Sequence, residues 1–214
     1  MSKGNFIVFE GIDGCGKSTQ AKRLTQFLND TGSQAWYTAQ PTNSDIGKII
    51  RQYINIDNDF EKDDEILYDT FDAQISYLFA ADRHWHLYNP DGIINKLNSG
   101  IHVICDRYYF STYAHNSGNL SYPNWHLNID LNKRFLQPDL LFFLDTDLDI
   151  CLNRIEDRGQ KIKYESHDKL KTAQMIYRQE FQEYDTDWCI NIDANQNEDL
   201  VFQQVLMGLL NVQF

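Results

Sequence analysis

Residues 6–18 read Phe6-Ile7-Val8-Phe9-Glu10-Gly11-Ile12-Asp13-Gly14-Cys15-Gly16-Lys17-Ser18. The first four residues form a continuous apolar run, which is typical of a strand buried on both faces of a parallel sheet. The last eight match the pattern G-x-x-x-x-G-K-[ST] in full, and a helical pattern begins at Lys17. Strand, glycine-rich turn and helix follow one another as the motif requires. The sequence therefore predicts a loop that binds the phosphates of a nucleoside triphosphate.

Each residue type in this loop has a physical reason. Glycines let the backbone wrap closely around a phosphate chain, and successive N–H groups at a helix start point at the anion. We expect Lys17 to neutralise the phosphate that is transferred, and Ser18 to offer its hydroxyl to Mg²⁺. The residues predicted to bind the triphosphate are Gly11, Ile12, Asp13, Gly14, Cys15, Gly16, Lys17, Ser18 and Thr19.

The loop alone does not distinguish switch GTPases, motor ATPases and small-molecule kinases. A GTPase also needs an N-K-x-D pattern to bind guanine, and the nearest match, at residues 132–135, lacks the aspartate. A kinase that pairs the loop with a separate acceptor site is therefore favoured. A nucleotide-binding regulator that hydrolyses without an acceptor stays open.

Composition excludes several other classes of protein. The chain has 214 residues, 42% of them hydrophobic, and a net charge of -12, so one domain over residues 1–214 is favoured. Strong acidity argues against a nucleic-acid polymer as partner, because such proteins neutralise phosphates with a basic surface. No apolar run approaches the roughly 18 residues of a membrane span. Four separated cysteines without zinc spacing are typical of a protein of the reducing cytoplasm.

Apolar runs alternate with helical patterns along the whole chain, which predicts an α/β fold with a five-stranded parallel sheet. After the first strand we expect strands at residues 34–38, 101–105, 140–144 and 188–192. Helices are expected at residues 17–30, 46–53, 63–88, 90–98, 149–158, 166–184 and 198–210. Ligands of such sheets bind beyond the carboxyl ends of the strands. Residues that directly follow strands are therefore the first candidates for an acceptor site.

Asp106 and Arg107 follow the predicted strand at residues 101–105. An arginine there can bind a phosphate with two parallel hydrogen bonds. Asp106 can hold Mg²⁺ or its water ligands. Asp145 follows the next strand, and we expect it to cap the helix after it.

Phe79 and Arg83 lie four residues apart, on one face of the long predicted helix. An aromatic ring and a guanidinium on one face can stack on a nucleobase and donate to its edge. On spacing alone, however, a core phenylalanine and a surface arginine are favoured.

A basic cluster stands out in this acidic chain at residues 154–163. It contains Arg154, Arg158, Lys161 and Lys163, and the two arginines share a helical face. We expect a mobile lid over about residues 154–165 that closes on the transferring phosphoryl group. A solvated basic turn is the alternative.

Taken together, these motifs resemble, in order, those of the thymidylate kinases. The stretches that carry the resemblance are residues 9–20, 40–48, 78–83, 106–111, 138–140, 154–165 and 193–194, so it covers nearly the whole chain. It implies the three-layer sandwich of the P-loop NTPases and a homodimer. It also implies that the γ-phosphoryl group of ATP is transferred to dTMP in the presence of Mg²⁺, giving dTDP for dTTP synthesis.

The resemblance implies a role for each matching residue. The catalytic set would be Lys17, Asp13, Arg107, Arg154 and Arg158, and the metal would bind Ser18 and Asp106. Phe79 would stack on thymine, Arg83 would donate to a base oxygen, and Arg107 would bind the acceptor phosphate. The other acceptor residues would be Asp106, Thr112, His115, Asn116 and Arg51. Because Gly14 stands where some members carry an arginine, the catalytic arginine is expected from the lid.

Two departures from the family pattern concern the acceptor. Residues 39–41 read Ala39-Gln40-Pro41 where many bacterial members have Arg-Glu-Pro, which alters how the acceptor phosphate is held. Residues 114–116 read Ala114-His115-Asn116 where the family has Ala-Tyr-Gln, and that tyrosine helps to exclude a 2′-hydroxyl. A kinase of the same fold that acts on another nucleoside monophosphate or on a nucleoside therefore stays open.

Overall fold

A five-stranded parallel sheet, in the order β2-β3-β1-β4-β5, forms the centre of the computed structural model. The structure describes residues 2–55, 65–116, 123–157, 167–182 and 188–211. The strands are β1 (Phe6–Glu10), β2 (Ala35–Ala39), β3 (His102–Asp106), β4 (Leu140–Asp145) and β5 (Cys189–Asp193). All five predicted strands are confirmed, and their bounds lie within one residue of those expected.

Helices flank this sheet, and the expected α/β fold is confirmed. They are α1 (Lys17–Asp30), α2 (Asp45–Asn55), α3 (Glu65–Tyr88), α4 (Ile93–Asn98), α5 (Tyr109–Asn116), α6 (Pro123–Asn132), α7 (Leu148–Glu156), α8 (His167–Gln182) and α9 (Glu198–Gly208). Helix α1 packs on β1, β2, β3 and α9, whereas α5 packs on α3, α6 and α8. Within the described ranges, none of the helices has the length and hydropathy that crossing a bilayer requires.

Strand β1 positions the candidate site. All five of its residues are buried, as the continuous apolar run predicts. It pairs with β3 on one side and β4 on the other, and Phe9 is in register with both Asp106 and Phe142. Because parallel strands end at the same edge, the loop after β1 lies beside the residues that follow β3.

Helices α5 and α6 lie where the sequence pattern predicts none. Helix α5 reads YFSTYAHN, which is rich in aromatic, hydroxyl and amide residues with weak helix propensity. Its buried residues are Tyr109, Phe110, Thr112, Ala114 and Asn116. Tertiary packing therefore stabilises a helix that local propensity does not indicate.

The expectation that Asp145 caps the following helix is wrong. The residue at the N-cap of α7 is Asp147. The Asp145 carboxylate instead accepts hydrogen bonds from Arg178, at 3.0 Å from Nε and 3.0 Å from Nη2. This ion pair ties α8 to the end of β4, an interaction between distant parts of the chain that end-of-strand position does not reveal.

Candidate active site

The phosphate loop between β1 and α1 depends on glycine at defined positions. Gly11, Gly14 and Gly16 have φ values of 142°, 85° and 103°, which side chains rarely adopt. A Cβ at Gly14 would also lie 2.4 Å from the carbonyl oxygen of Cys151. Gly16 is the N-cap of α1, whose first-turn N–H groups lack partners within the helix. The loop therefore ends at a helix N-terminus, which is suited to bind an anion.

Lys17 lies buried within this loop. Its Nζ donates to the carbonyl oxygen of Ile12 at 2.7 Å and lies 3.6 Å from Cys15 Sγ. The backbone N–H of Cys15 in turn donates to Ile12 O. The ammonium of Lys17, the predicted phosphate-binding cation, thus contacts the backbone of its own loop.

Ser18 joins the loop to the end of β3. Its hydroxyl donates to Asp106 Oδ2, and the Tyr37 hydroxyl donates to the same oxygen at 3.4 Å. Burial and then the Asp106 carboxylate raise the pKa of Tyr37 to about 12, so the phenol remains a donor. Among the described residues, the buried Asp106 Oδ1 has no hydrogen-bond partner. A hydroxyl and a carboxylate therefore meet beside the loop, and one carboxylate oxygen is left unused.

Arg107 faces the loop from the next position along the chain. Its guanidinium forms an ion pair with Asp13 and donates from Nη1 to Ser111 Oγ at 2.9 Å. Burial would raise the pKa of Asp13, but Arg107 and Lys17 outweigh it and hold that pKa well below its usual range. Burial would likewise lower the pKa of Arg107, but Asp13 outweighs it and raises that pKa. Both groups are charged at neutral pH.

A cavity of about 170 Å³, the acceptor cavity, opens beside this ion pair. Six of the residues predicted to be functional line it: Asp13, Phe79, Arg107, Thr112, His115 and Asn116. Five further lining residues carried no predicted role: Gln40, Pro41, Ile54, Tyr108 and Ser111. Four of these five lie inside the motif stretches, and only Ile54 of α2 has no sequence signal. Side chains that are far apart in sequence therefore form one cavity.

Arg83 lies behind the wall of the acceptor cavity and is only 1% exposed, so the surface position favoured by its spacing is wrong. It donates from Nε to Gln40 Oε1 at 3.2 Å and from Nη2 to Thr112 Oγ1 at 3.0 Å. Its Nη1 donates to Asn132 Oδ1. Gln40 and Thr112 line the cavity, so Arg83 lies directly against its lining.

Arg51 supports the wall of the acceptor cavity but is not among the residues that line it. It donates to the carbonyl oxygens of Thr42 and Pro41 at 2.6 and 2.5 Å. Of these two, Pro41 lines the acceptor cavity. Arg51 thus acts on the cavity through the backbone of the segment after β2.

His115 is a neutral side chain in the acceptor cavity. Burial, together with Arg107, lowers the pKa of His115 to about 3. Arg107 Nη1 lies 3.3 Å from His115 Nε2. Because a guanidinium only donates, Nε2 accepts and the ring proton lies on Nδ1.

A second cavity of about 190 Å³, the donor cavity, lies on the other side of the phosphate loop. It is lined by Gly14, Cys15, Gly16, Thr19, Gln20, Arg154, Ala194, Gln196, Glu198 and Val201. Arg154 Nη1 lies 3.4 Å from both Gly14 O and Ala194 O. Arg158, and with it most of the expected lid, lies outside the described residues.

Comparisons with known proteins identify the family to which this chain is similar. Residues 9–205 match the thymidylate kinase family model. Thymidylate kinase of Leptospira interrogans is 35% identical over 202 residues, covering 94% of this chain and 91% of that protein. Thymidylate kinase of Plasmodium falciparum is 30% identical over 213 residues, covering 99% and 92%.

A solved structure shows the same fold. Thymidylate kinase from Candida albicans superimposes with a TM-score of 0.77 and covers 98% of this chain and 92% of its own, at 24% sequence identity. Together with the family match over most of the chain, the sequence relatives establish the relationship. The chain belongs to the thymidylate kinase family, whose members are nucleoside monophosphate kinases that use ATP as phosphoryl donor.

Proposed function

We propose that this chain transfers the γ-phosphoryl group of ATP to dTMP, giving dTDP. The observation that carries this proposal is the ion pair between Asp13, inside the phosphate loop, and Arg107, in the acceptor cavity. It connects a triphosphate site to a cavity for a second nucleotide, so two phosphate groups can meet end to end. Phosphoryl transfer requires such an in-line approach. Membership of the thymidylate kinase family supports dTMP as the acceptor.

The donor would lie along the phosphate loop and extend into the donor cavity. The first-turn N–H groups of α1 and the ammonium of Lys17 would bind its phosphates. Lys17 would exchange its bond to Ile12 O for the transferred group, on which negative charge is spread in the transition state. The guanidinium of Arg154 lines the donor cavity and can pair with a phosphate of the donor.

Ser18 and Asp106 fit the requirements of a magnesium ion. Mg²⁺ prefers oxygen ligands and is usually bound by one or two carboxylates together with substrate phosphates and water. The hydroxyl of Ser18 and the unused Oδ1 of Asp106 supply such oxygens beside the loop. The ion would neutralise charge on the phosphates, while Tyr37 holds the Asp106 carboxylate in place.

The acceptor would lie with its phosphate at Arg107 and its base at Phe79. Arg83 has five N–H donors and makes three described hydrogen bonds, so a donor remains for a base oxygen close to Thr112. Asn116 lines the same cavity and offers further hydrogen bonds. Arg51 would act by holding Pro41 in the cavity wall.

Catalysis would come from positioning and electrostatics, without a covalent intermediate. Lys17 would hold the donor end and Arg107 the acceptor phosphate, while Asp13, paired with Arg107, would contact the sugar and phosphate region of the acceptor. The lid arginine Arg158, together with Arg154, would neutralise charge on the transferring group. A closed lid would also exclude water, which competes as an acceptor.

A panel of acceptors assayed with ATP and Mg²⁺ tests this function. We expect dTMP to give the highest kcat/KM among dTMP, dUMP, dCMP, UMP and thymidine. The second candidate is a kinase for another monophosphate or a nucleoside, and Gln40 and His115 in the cavity lining favour it. A higher kcat/KM for one of those acceptors would support it. ATP consumption that is indifferent to every acceptor would instead indicate a hydrolysing regulator.

We also propose a homodimer formed through α2 and α3. Tyr77, Trp85 and Tyr88 are 54%, 43% and 52% exposed, and their spacing places them on one side of α3. Ile49 and Tyr53 of the adjacent α2 are exposed as well. Apolar groups clustered in this way are typical of an interaction surface. Light scattering during gel filtration should give twice the chain mass, and a monomer at micromolar concentration would contradict the dimer.

The cytoplasm is the compartment that we propose for this protein. Its four cysteines, Cys15, Cys105, Cys151 and Cys189, are free and buried, as is usual in a reducing compartment. The proposed partners are small nucleotides rather than a nucleic-acid polymer, because the net charge is -12. Cell fractionation with detection of the intact chain tests the location.

A further inference from the structure

Glu10, the last residue of β1, is a fully buried carboxylate to which the proposed reaction gives no role. Its exposed fraction is 0%. A buried carboxylate is strongly unfavourable unless hydrogen bonds satisfy it. Glu10 accepts from four donors: Tyr108 N at 2.7 Å, Ser111 N at 3.2 Å, Ser111 Oγ at 2.7 Å and Tyr177 Oη at 2.8 Å. Glu10 is therefore the centre of a hydrogen-bond cluster directly beneath the site.

Two of these bonds shape the backbone around Arg107. The N–H groups of Tyr108 and Ser111 lie at the start of α5, and both donate to Glu10 Oε1. A side chain of β1 therefore caps the N-terminus of this helix. Arg107 immediately precedes them and has a φ of 70°, which is unfavourable for a residue with a side chain. Such a conformation persists only where the surroundings hold it. The Glu10 bonds to the following residues, together with the bond from Arg107 N to Phe9 O at 3.0 Å, supply that constraint.

The other oxygen of Glu10 controls the Arg107 side chain through Ser111. The Ser111 hydroxyl donates to Glu10 Oε2, so its single hydrogen is already used. A lone pair of Ser111 Oγ is thereby left to accept from Arg107 Nη1 at 2.9 Å. Since Nη2 is paired with Asp13, the guanidinium is held at both ends of its fork.

Tyr177 completes the cluster from α8. Its hydroxyl lies 2.8 Å from Glu10 Oε2 and 2.9 Å from Ser111 Oγ. Its ring is fixed by stacking on Phe143 and Phe181, with centroids 5.5 and 5.9 Å away. Burial and the nearby Glu10 raise the pKa of Tyr177, so its hydroxyl keeps the proton that it donates.

We propose that Glu10 and Tyr177 are positioning residues that, through Ser111, hold the Arg107 guanidinium in the orientation that binds the acceptor phosphate. Neither side chain lines the acceptor cavity, so neither would touch the substrate. This inference rests on the proposed function, in which Arg107 binds the phosphate of dTMP. The acceptor site then depends also on two side chains that lie behind its lining, one of them from α8.

Tyr177→Phe tests the inference because it removes one hydroxyl and keeps the stacked ring. The discriminating readout compares binding of dTMP with binding of thymidine, which has the same base and sugar but no phosphate. We expect the dTMP dissociation constant and KM to rise about 3- to 10-fold, the effect of one lost hydrogen bond. Thymidine binding and the KM for ATP should not change. Tyr77→Phe, which removes a hydroxyl from an exposed position of α3, is the matched control and should leave all four constants unchanged.

Glu10→Gln is the second variant, and we expect the same selectivity with a larger rise, of about 10- to 100-fold, because an amide NH2 replaces one accepting oxygen and leaves buried donors unsatisfied. Thermal unfolding shows whether it folds, and if it does not, Tyr177→Phe decides alone. Equal weakening of dTMP and thymidine binding, or unchanged dTMP binding, in Tyr177→Phe would overturn the positioning role. Wild-type protein that lacks dTMP-dependent turnover would overturn the proposed function instead.

Discussion

The donor and acceptor ends of the active site are constructed differently. The phosphate-binding part of the donor end is one contiguous stretch, residues 11–19, and most of its proposed contacts come from backbone amides. The acceptor cavity draws its lining side chains from the loop, the end of β2, α2, α3, the end of β3 and α5. The phosphate loop therefore depends on local backbone conformation, whereas the acceptor cavity depends on strand register and on hydrogen bonds between distant residues.

The two ends also differ in how they hold charge. At the donor end, one ammonium, Lys17, lies against loop carbonyls. The acceptor end contains two guanidiniums, the buried Arg83 and the partly buried Arg107, each held by several acceptors. It also contains two imidazoles, the buried His86 and the partly buried His115. Desolvation lowers the pKa of His86 to about 4 and, together with Arg107, that of His115 to about 3. Substitutions at the two ends should therefore affect different measurements.

The largest effect is expected at the donor end, from Lys17→Ala. Removing this ammonium should lower dTMP-dependent ADP formation about 10³-fold or more, because Lys17 is the cation that the phosphate loop itself supplies to the transferred phosphoryl group. The fold and dTMP binding should survive, since the loop conformation is set by glycines. Thermal unfolding and equilibrium dTMP binding check both points.

Lys133→Ala serves as the control for loss of a lysine. Lys133 is exposed and pairs only locally, with Asp130 at 2.6 Å. Its replacement should leave turnover unchanged. Retained dTMP-dependent ATP consumption in Lys17→Ala would refute the assignment of Lys17.

A smaller and more selective effect is expected at the acceptor end, from Arg107→Gln. The KM for dTMP should rise about 100-fold, within the range for truncating one partner of a buried charge pair. The KM for ATP should change little, because Arg107 lies outside the donor cavity lining. Arg23→Gln removes an arginine that pairs with Glu198 and Asp199 and should leave the dTMP KM unchanged. Equal rises in both KM values for Arg107→Gln would show that the two ends are not separable.

This contrast explains what could be predicted from sequence. The five strands and the phosphate loop were predicted because their signals are local: an apolar run, a glycine pattern and a helical period. Phe79 and Thr112 were placed in the acceptor site only because the motifs resemble those of a family. Spacing alone favoured a surface position for Arg83, which the structure contradicts.

The remaining features depend on contacts that no local pattern contains. Glu10 and Tyr177 bond across 167 positions of the chain. The helix α5 has weak propensity and is stabilised by burial and by the Glu10 cap. The left-handed backbone of Arg107 is held by the bonds of its neighbours to Glu10 and by its own bond to Phe9 O. Sequence reasoning therefore identified the residues that bear charge but not the buried groups that orient them.

The smallest expected effect concerns acid stability, and it belongs to the acceptor end. His86 is buried between Thr38 and Gln40, with Nε2 2.6 Å from Thr38 Oγ1 and Nδ1 3.1 Å from Gln40 Nε2. Burial lowers its pKa to about 4, below the unfolded value of about 6.5. Between those values the unfolded chain binds a proton that the folded chain does not. The free energy of unfolding should therefore fall with decreasing pH, by up to about 1.4 kcal/mol per pH unit from this residue.

His86→Gln should remove that contribution. Urea unfolding of the variant at a series of pH values from 6.5 to 4 should show a shallower fall than wild type, with about one proton less taken up on unfolding. His84→Gln, at an exposed position of the same helix, should keep the wild-type slope. Since His115 remains in the His86 variant, part of the acid sensitivity should persist. An unchanged slope in His86→Gln would mean that the imidazole is protonated in the folded protein, and the neutral ring that accepts from Gln40 would be wrong.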